Sequence, residues 1–249
     1  MVPTLLIGPA AIPTYPFFLL LAFWAGLWLA AKQAVRFGLD GDHIYNAGLY
    51  GLLAGIIGAR LWFVLSHWEN YAADLTQALS LSRSALSTGE GLIIAGLVVL
   101  IYLQRHEVPL GAFLDAAAYG LALAIIIGNI GAFLGGEALG AVSKLPWAIE
   151  LVGTARHPIQ LYEAVAGLVI LVVLFVTRYR PWPGFLFWLF IVLYGISRLL
   201  LEIFRSRPDI IGDGFLTVQI FALFAVVTAL AVMAYKFNTT LVGTESDRL

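Results

Sequence analysis

The 249-residue chain contains no cysteine and only two methionines. The absence of cysteine excludes disulfide bonds, thiolate metal sites and a cysteine nucleophile in this protein. Charged residues are also scarce, at 12% of the chain, compared with about 25% in a soluble domain. Hydrophobic residues make up 61%, and the mean hydropathy is +0.93. This composition predicts a polytopic membrane protein, and the net charge of −1 gives no indication of nucleic-acid binding.

Apolar segments long enough to cross a membrane, which takes about 20 residues, recur along the chain. The third reaches that length only if it includes the polar start Thr88-Gly89-Glu90. The predicted spans are residues 12–32, 46–66, 88–104, 111–134, 158–177, 182–204 and 214–237. The sequence therefore predicts an all-α fold, with one integral membrane domain over residues 1–249 and seven transmembrane helices. The more polar segments 67–87 and 135–157 are expected to form an extracytoplasmic arm and a small head.

Seven spans would place the two termini on opposite sides of the membrane. With the N-terminus outside, seven Lys and Arg residues fall in inside loops and five in outside segments. Basic residues are enriched in cytoplasmic loops. The charge pattern therefore favours an external N-terminus and a cytoplasmic C-terminus.

The most informative polar residues lie in the sixth predicted span. Tyr194, Arg198 and Glu202 are spaced four residues apart, so they share one face of a helix. Residues 185–193 before them are all apolar. A charge inside a membrane helix is costly unless it meets a partner or a wet cavity, and it marks a functional site by default. The alternative is a purely structural ion pair between Arg198 and Glu202.

Further polar residues converge on the same, outer half of the predicted bundle. They are Arg60, Glu90, Asn129, Glu137, Arg156, Gln160, Glu163, Arg205 and Gln219. Clustered arginines suit a lipid phosphate, because guanidinium groups bind phosphate oxygens in pairs, and glutamates can orient them or exchange protons. The structural alternatives are a snorkelling or ion-paired Arg60 and a Glu163 paired with a nearby cation or hydroxyl. The acidic residues lack metal-ligand spacing, so we expect no metal and no cofactor.

The order and spacing of these motifs resemble the prolipoprotein diacylglyceryl transferase family over nearly the whole chain. The matching motifs are Ile12-Pro13-Thr14-Tyr15, Gly58-Ala59-Arg60, the box Arg156-His157-Pro158-Ile159-Gln160-Leu161-Tyr162-Glu163, and Tyr194-Gly195 with Arg198, Glu202, Phe204 and Arg205. The resemblance implies a bacterial plasma-membrane enzyme. Its reaction transfers the diacylglyceryl group of phosphatidylglycerol to the lipobox cysteine thiol of a prolipoprotein, and glycerol phosphate leaves. The thiol that accepts the diacylglyceryl group must then belong to the substrate, since this chain contains no cysteine.

The resemblance also implies roles for individual residues. It makes Arg198 a phosphate clamp, supported by Glu202 and Tyr194. Catalytic roles are expected for Arg198, Glu202, Glu90 and Glu137. Substrate binding is expected for Tyr15, Arg60, Asn129, Gly140, Arg156, Gln160, Tyr194 and Arg205.

The chain departs from the family pattern at two places. In the family signature Gly-Arg-x-Gly-Asn-Phe-x-Asn-x-Glu-x-x-Gly, this chain has Asn129 in place of the arginine and Ala132 and Gly135 in place of the asparagines. The family's His-Gly-Gly before the third span is replaced by residues 89–91, so Glu90 is the expected substitute base. Two alternatives therefore stay open: a sibling transferase with another acceptor, and a non-catalytic lipid-binding subunit of a larger membrane complex.

Overall fold

The computed structural model describes residues 2–8, 10–71, 87–151, 153–177, 179–206, 210–211 and 215–246. Its helices are α1 (Thr14–Ala34), α2 (Gly41–Ser66), α3 (Trp68–Tyr71), α4 (Thr88–Arg105), α5 (Leu110–Gly135), α6 (Ile159–Val176), α7 (Phe185–Leu201) and α8 (Thr217–Ser246). Within these ranges six helices are long and apolar enough to cross a membrane, namely α1, α2, α5, α6, α7 and α8. The expected all-α polytopic membrane fold is confirmed. Helix α4 lies where the third span was predicted, and the total of seven spans stays a prediction.

Helix ends differ from the predicted spans where polar groups extend or cut a helix. Helix α2 begins at Gly41, ahead of residue 46, because the Asp40 carboxylate accepts a 3.0 Å hydrogen bond from the Asp42 N–H and caps a polar first turn. Helix α7 begins at Phe185, after residue 182, because Gly184 adopts a left-handed conformation with φ of 100°. Helix α8 continues to Ser246, past the end of its apolar stretch. Hydropathy locates the membrane-embedded part of a helix and misses such polar turns.

Helix α1 begins at Thr14, two residues after the approximate start predicted for the first span. Residues before α1 form a hairpin of two antiparallel strands, β1 (Thr4–Ile7) and β2 (Ala10–Pro13). The Thr14 hydroxyl donates a hydrogen bond to the Val2 carbonyl, and the Val2 N–H donates to the Leu134 carbonyl at 2.8 Å. These bonds hold the hairpin against the end of α5, so Ile12 belongs to a strand.

The helix pairs named next pack antiparallel, whereas α5 and α7 pack on each other and begin at the same end of the bundle. Helix α1 packs on α2 and α5, α2 on α4, α5 on α6, α6 on α7, and α7 on α8. The backbones of α1 and α5 approach closely, since a Cβ added to Gly120 would lie 2.4 Å from the Gly26 carbonyl oxygen. Small residues permit such close approach between membrane helices.

This alternation brings the polar residues to one end of the bundle. The N-terminal hairpin, the ends of α2, α5 and α7, and the starts of α4, α6 and α8 meet there, and we call it the site end. The predicted head, residues 135–157, also lies there and contains strands β3 (Ile149–Leu151) and β4 (Thr154–Arg156). Most of the predicted arm, residues 72–86, falls outside the described residues, as does residue 214, the predicted start of the last span.

The opposite end is organised by a buried carboxylate. Asp115 of α5 is 0% exposed, and its Oδ2 accepts hydrogen bonds from Arg180 Nε at 2.6 Å and from the Gly184 N–H at 2.7 Å. Its Oδ1 accepts a third hydrogen bond, from the Phe187 N–H, at 3.1 Å. Asp115 therefore fixes the turn that leads into α7 and, with it, the direction in which α7 runs to the site end.

Candidate active site

Four charged side chains at the site end form one ion-pair network, which we call the charge network: Glu163, Arg198, Glu202 and Arg205. Arg198 Nη1 donates to Glu163 Oε1 at 2.5 Å, and its Nη2 donates to Glu202 Oε2 at 2.6 Å. Arg205 Nη2 donates to the same Glu163 oxygen at 2.6 Å, and its Nε lies 3.4 Å from Glu202 Oε1. The ion pairs expected for Arg198 with Glu202 and for Glu163 with a nearby cation are confirmed.

The local fold explains how these side chains meet. Helix α6 runs antiparallel beside α7 and places Glu163 next to Arg198, although 35 positions separate them in the chain. Helix α7 ends at Leu201 and tightens into a 3₁₀ turn over Glu202–Phe204. The Glu202 side chain is only 2% exposed. Two carboxylates and two guanidinium groups balance in charge, which offsets the cost of removing them from water.

A set of backbone pairings outside the helices, which we call the head ladder, joins the start of the Arg156–Glu163 box to the end of the motif that contains Arg198 and Arg205. Residues 139–143 run between residues 204–206 on one side and 154–157 on the other. Antiparallel bridges pair Gly140 with Arg205 and Val142 with Arg156. Arg156 Nη1 also donates to the Gly140 carbonyl at 3.1 Å. The ladder thereby brings the predicted substrate-binding residues Gly140, Arg156 and Arg205 together.

Gly140 is required by the close packing of this ladder. A Cβ added at Gly140 would lie 2.0 Å from the backbone carbonyl oxygen of His157. Backbone atoms cannot swing away as a flexible side chain can. The glycine therefore allows residues 139–143 to pack directly against residues 154–157, at the point where Arg156 donates its hydrogen bond to the Gly140 carbonyl.

A cavity of about 500 Å³ opens beside the head ladder and is lined by Ala138, Leu139, Arg156, Arg205 and Ser206. We call it the head cavity. Its two charged lining residues in the described part of the chain are Arg156 and Arg205, and the Nε atom of each is buried without a hydrogen-bond partner there. Among the described residues no carboxylate pairs with Arg156. The cavity thus presents uncompensated positive charge in a volume typical of small-molecule sites.

The Gln160 side chain contacts the backbone of Glu137. The Gln160 side chain is 1% exposed, and its Nε2 donates to the Glu137 backbone carbonyl. Its Oε1 is buried and has no hydrogen-bond partner within the described ranges. The Glu137 side chain is exposed. Gln160 therefore fixes the turn after α5, and one polar oxygen remains to be satisfied at the start of α6.

Two predicted substrate-binding residues lie inside the helix pairs. The Tyr194 ring stacks in parallel on Phe190, with centroids 5.8 Å apart, one turn before Arg198. The Asn129 side-chain amide donates to the Ile125 carbonyl of its own helix at 2.9 Å. In the described part of the chain, no hydrogen bond or ion pair links Asn129 to the charge network.

Arg60 lies in α2 with only 6% of the residue exposed. Its guanidinium carbon is 5.2 Å from the ring centre of Tyr71 and 5.9 Å from that of Phe63. Both distances fall within the range of cation–π attraction. Arg60 is therefore a buried, ring-contacted cation, and its side chain does not snorkel to the surface.

Glu90 and Tyr15 open helices at the site end. Glu90 lies in the first turn of α4, where a Cβ added to neighbouring Gly91 would be 2.7 Å from Ala59 Cβ of α2. Glu90 therefore lies beside the turn of α2 that carries Arg60. Its carboxylate makes no hydrogen bond or ion pair with the residues that the structure describes. Tyr15, in the first turn of α1, lies against Gly135, where an added Cβ would meet Tyr15 Cβ at 3.1 Å.

An apolar groove runs between α1, α2 and α4. It has a volume of about 350 Å³ and is lined by Phe23, Gly51, Leu52, Gly55, Ile56, Ala59, Gly91, Leu92 and Ala95. Ala59 and Gly91 are the sequence neighbours of Arg60 and Glu90. A hydrocarbon chain fits such a groove, since its lining offers apolar contact and no charge.

The sequence model of the prolipoprotein diacylglyceryl transferase family matches residues 3–235 of the chain. The chain belongs to this family. The resemblance identified from the sequence motifs is therefore confirmed.

Individual relatives agree with this family assignment. A phosphatidylglycerol–prolipoprotein diacylglyceryl transferase of Clostridioides difficile (strain 630) is 31% identical over 188 residues, covering 75% of this chain and 76% of the relative. A protein of that name from Thermus thermophilus is 31% identical over 231 residues, covering 81% and 83%. Another from Streptococcus pyogenes serotype M5 is 30% identical over 210 residues, covering 80% and 81%.

Sequence reasoning missed the central position of Glu163 within the candidate site. The structural alternative paired Glu163 with a nearby cation or hydroxyl, whereas its Oε1 accepts hydrogen bonds from both Arg198 and Arg205. The available signal was its place in the Arg156–Glu163 box, one turn after the buried Gln160. That signal does not name the partner, because the pairing depends on how α6 packs on α7.

Proposed function

We propose that this protein is a phosphatidylglycerol–prolipoprotein diacylglyceryl transferase of the bacterial plasma membrane. A carbon–sulfur bond forms between the lipobox cysteine of the substrate and the glyceryl carbon that carries the phosphate. The carbon–oxygen bond to that phosphate breaks, and glycerol phosphate leaves with the bonding electrons. The observation that carries the proposal is the charge network, in a chain that belongs to the transferase family.

Arg198 binds the lipid phosphate in this proposal. A guanidinium group has five N–H donors, and two of those on Arg198 are taken by Glu163 and Glu202. The two carboxylates fix the plane of the guanidinium and leave its other donors for phosphate oxygens. Negative charge grows on the phosphate as the carbon–oxygen bond breaks, so a preoriented arginine stabilises the transition state more than the bound lipid.

Glu90 removes the thiol proton in this proposal. A cysteine thiol has an ordinary pKa of about 8.5, so a neutral medium holds little of the reactive thiolate. Glu90 has no described side-chain partner and stands at the start of α4, adjacent to the position where the family has its histidine. The proton passes from sulfur to the Glu90 carboxylate as the carbon–sulfur bond forms.

The remaining predicted residues surround the substrates. We assign phospholipid and peptide contacts to Tyr15, Arg60, Asn129, Gly140, Arg156, Gln160, Tyr194 and Arg205, and a supporting acid–base role to Glu137. The apolar groove beside Ala59 and Gly91 receives an acyl chain. Lipobox prolipoproteins are the protein partners, and we propose that the site end faces outward, with the N-terminus outside and the C-terminus cytoplasmic.

A transfer assay tests this function. Purified protein is mixed with phosphatidylglycerol and a peptide with a lipobox cysteine, and the mass of the peptide is measured by mass spectrometry. The expected result is a diacylglyceryl mass gain on the cysteine peptide and none on a matched serine peptide. Loss of phosphatidylglycerol without a peptide mass gain would indicate the sibling transferase with another acceptor.

The lipid-binding subunit remains the second candidate. Two observations favour it: Asn129 replaces the family arginine, and its amide is engaged with its own helix. Phosphatidylglycerol that co-purifies with the protein but is never consumed would support this candidate and contradict the transferase.

A further inference from the structure

The head cavity contains a cation that the charge network does not neutralise. Arg198 and Arg205 share the two carboxylates of Glu163 and Glu202. Arg156, by contrast, has a backbone carbonyl as its polar partner, and its buried Nε has none among the described residues. A buried guanidinium donor without an acceptor is costly. An anion in the cavity would compensate the charge of the Arg156 guanidinium, which lines it.

The second arginine of the cavity connects it to the charge network. Arg205 lines the head cavity, and its Nη2 donates to the Glu163 oxygen that also binds Arg198. The Nε of Arg205 is buried without a hydrogen bond in the described structure. One carboxylate oxygen thus separates the proposed phosphate-binding arginine from an arginine of the cavity.

The position and lining of the cavity suit a small, water-soluble anion. Its lining residues come from segments that follow the ends of α5 and α7 and from strand β4. Leu139 is the one large apolar side chain among the described lining residues. Ala138 and Leu139 offer too little apolar surface to cover two acyl chains, whereas the cavity of about 500 Å³ accommodates a phosphate with a glycerol attached.

The charge of the ligand changes during the proposed reaction. The phosphate of phosphatidylglycerol is a diester with one negative charge. After the carbon–oxygen bond breaks, the same phosphate is a monoester, which carries about −1.5 to −2 charges at neutral pH. A cavity with two arginines, of which Arg156 pairs with no described carboxylate, therefore binds the product more strongly than the lipid head group.

We infer that the head cavity, through Arg156 and Arg205, binds a phosphate monoester, and that it takes up the glycerol phosphate released from the lipid. The assignment of the released product rests on the proposed function. The anion site itself rests on Arg156, which pairs with no described carboxylate, and on the cavity that Arg156 and Arg205 line.

Equilibrium binding tests this inference independently of transfer. The full chain is placed in phosphatidylcholine nanodiscs and titrated calorimetrically with glycerol 1-phosphate, inorganic phosphate, glycerol or short-chain phosphatidylglycerol. We expect glycerol 1-phosphate to bind, glycerol not to bind, and Arg156→Gln to weaken glycerol 1-phosphate binding about tenfold or more, as expected for one charge-assisted contact. The matched control Lys144→Gln removes an exposed cation from the same head and leaves binding within about twofold.

A second variant covers the case in which Arg156→Gln disturbs the ladder. Ser206→Asp introduces a carboxylate that pairs with the cavity arginines, and it should weaken glycerol 1-phosphate binding to a similar degree. An unchanged unfolding temperature in either variant shows that the head is intact.

Three results would overturn the inference. The first is wild-type protein that fails to bind glycerol 1-phosphate. The second is equal binding by wild type, Arg156→Gln and Ser206→Asp, or equal weakening by Lys144→Gln. The third is short-chain phosphatidylglycerol that binds as tightly as glycerol 1-phosphate and whose affinity falls equally in Arg156→Gln. That result would identify the lipid head group as the ligand. Transfer without glycerol phosphate binding would refute the anion site and leave the proposed transferase function standing. Glycerol phosphate binding without transfer would support the anion site and contradict the proposed function.

Discussion

Arg198 on α7 donates a 2.5 Å hydrogen bond to Glu163 on α6, a residue 35 positions earlier in the chain. The same Glu163 oxygen accepts a 2.6 Å hydrogen bond from Arg205. One carboxylate therefore sets the positions of two arginines, of which Arg198 is proposed to bind the lipid phosphate and Arg205 the departing product. The pair makes Glu163 the structural centre of the candidate site.

Replacing Glu163 by Gln should slow transfer strongly. The amide keeps the size of the side chain but loses the charge that holds Arg198 and Arg205 together. We expect an initial rate about a hundredfold lower, the order of loss that follows from misplacing a catalytic group by an ångström. The control is Glu150→Gln, an exposed glutamate of strand β3. Equal transfer rates in Glu163→Gln and wild type would contradict the role of Glu163.

Glu90→Gln tests the proposed general base. Loss of general-base catalysis should lower the rate at pH 7 by about a hundredfold or more. Raising the pH through the ordinary thiol pKa of about 8.5 increases the thiolate fraction without a base, so the deficit should shrink by pH 9. Rates are measured across this range beside Glu107→Gln, an exposed glutamate at the opposite end of the bundle. A wild-type rate for Glu90→Gln at pH 7 would rule out Glu90 as the base.

The sequence predicted much of the fold because hydropathy reports membrane burial directly. Helices lie at every predicted span, with ends displaced where Asp40 caps α2 or Gly184 delays α7. The hairpin of β1 and β2 was not predicted, since its short apolar strands have the composition of a span start. Its bonds to Val2 and Leu134 are tertiary and leave no local pattern.

The sequence predicted which residues belong to the candidate site better than it predicted which of them contact one another. The four-residue spacing of Arg198 and Glu202 indicated their ion pair, because that spacing is enforced by the helix itself. The link from Glu163 to both arginines depends on the packing of α6 on α7. That Arg156 pairs with a backbone carbonyl and with no described carboxylate depends on the head ladder, which forms between segments distant in the chain.

Asp115→Asn should destabilise the protein without touching the proposed chemistry. The buried Asp115 carboxylate accepts hydrogen bonds from Arg180 and two backbone N–H groups, so removing its charge leaves the Arg180 guanidinium without its counter-ion. We expect the free energy of unfolding to fall by about 3 kcal/mol. Thermal unfolding in detergent measures this, with exposed Asp42→Asn as the control. An unchanged Tm would show that Asp115 does not hold the turn before α7.

The proposed orientation can be tested because the chain lacks cysteine. Single cysteines are introduced as Lys144→Cys in the head and Gln104→Cys at the end of α4, both at exposed positions. In spheroplasts, a membrane-impermeant maleimide should label the Lys144→Cys protein directly and the Gln104→Cys protein only after permeabilisation. The reverse labelling pattern would place the site end in the cytoplasm and contradict the proposal.

The most direct test of the central claim is a transfer assay that compares wild type with Arg198→Gln. Both proteins are given phosphatidylglycerol and the lipobox peptide, and the peptide mass is followed over time. We expect a diacylglyceryl mass gain in the wild type and a rate at least about a thousandfold lower in Arg198→Gln, the loss seen when a preoriented donor to a developing anion is removed. A wild-type protein that retains phosphatidylglycerol but never transfers it, or an Arg198→Gln variant that transfers at the wild-type rate, would contradict the account.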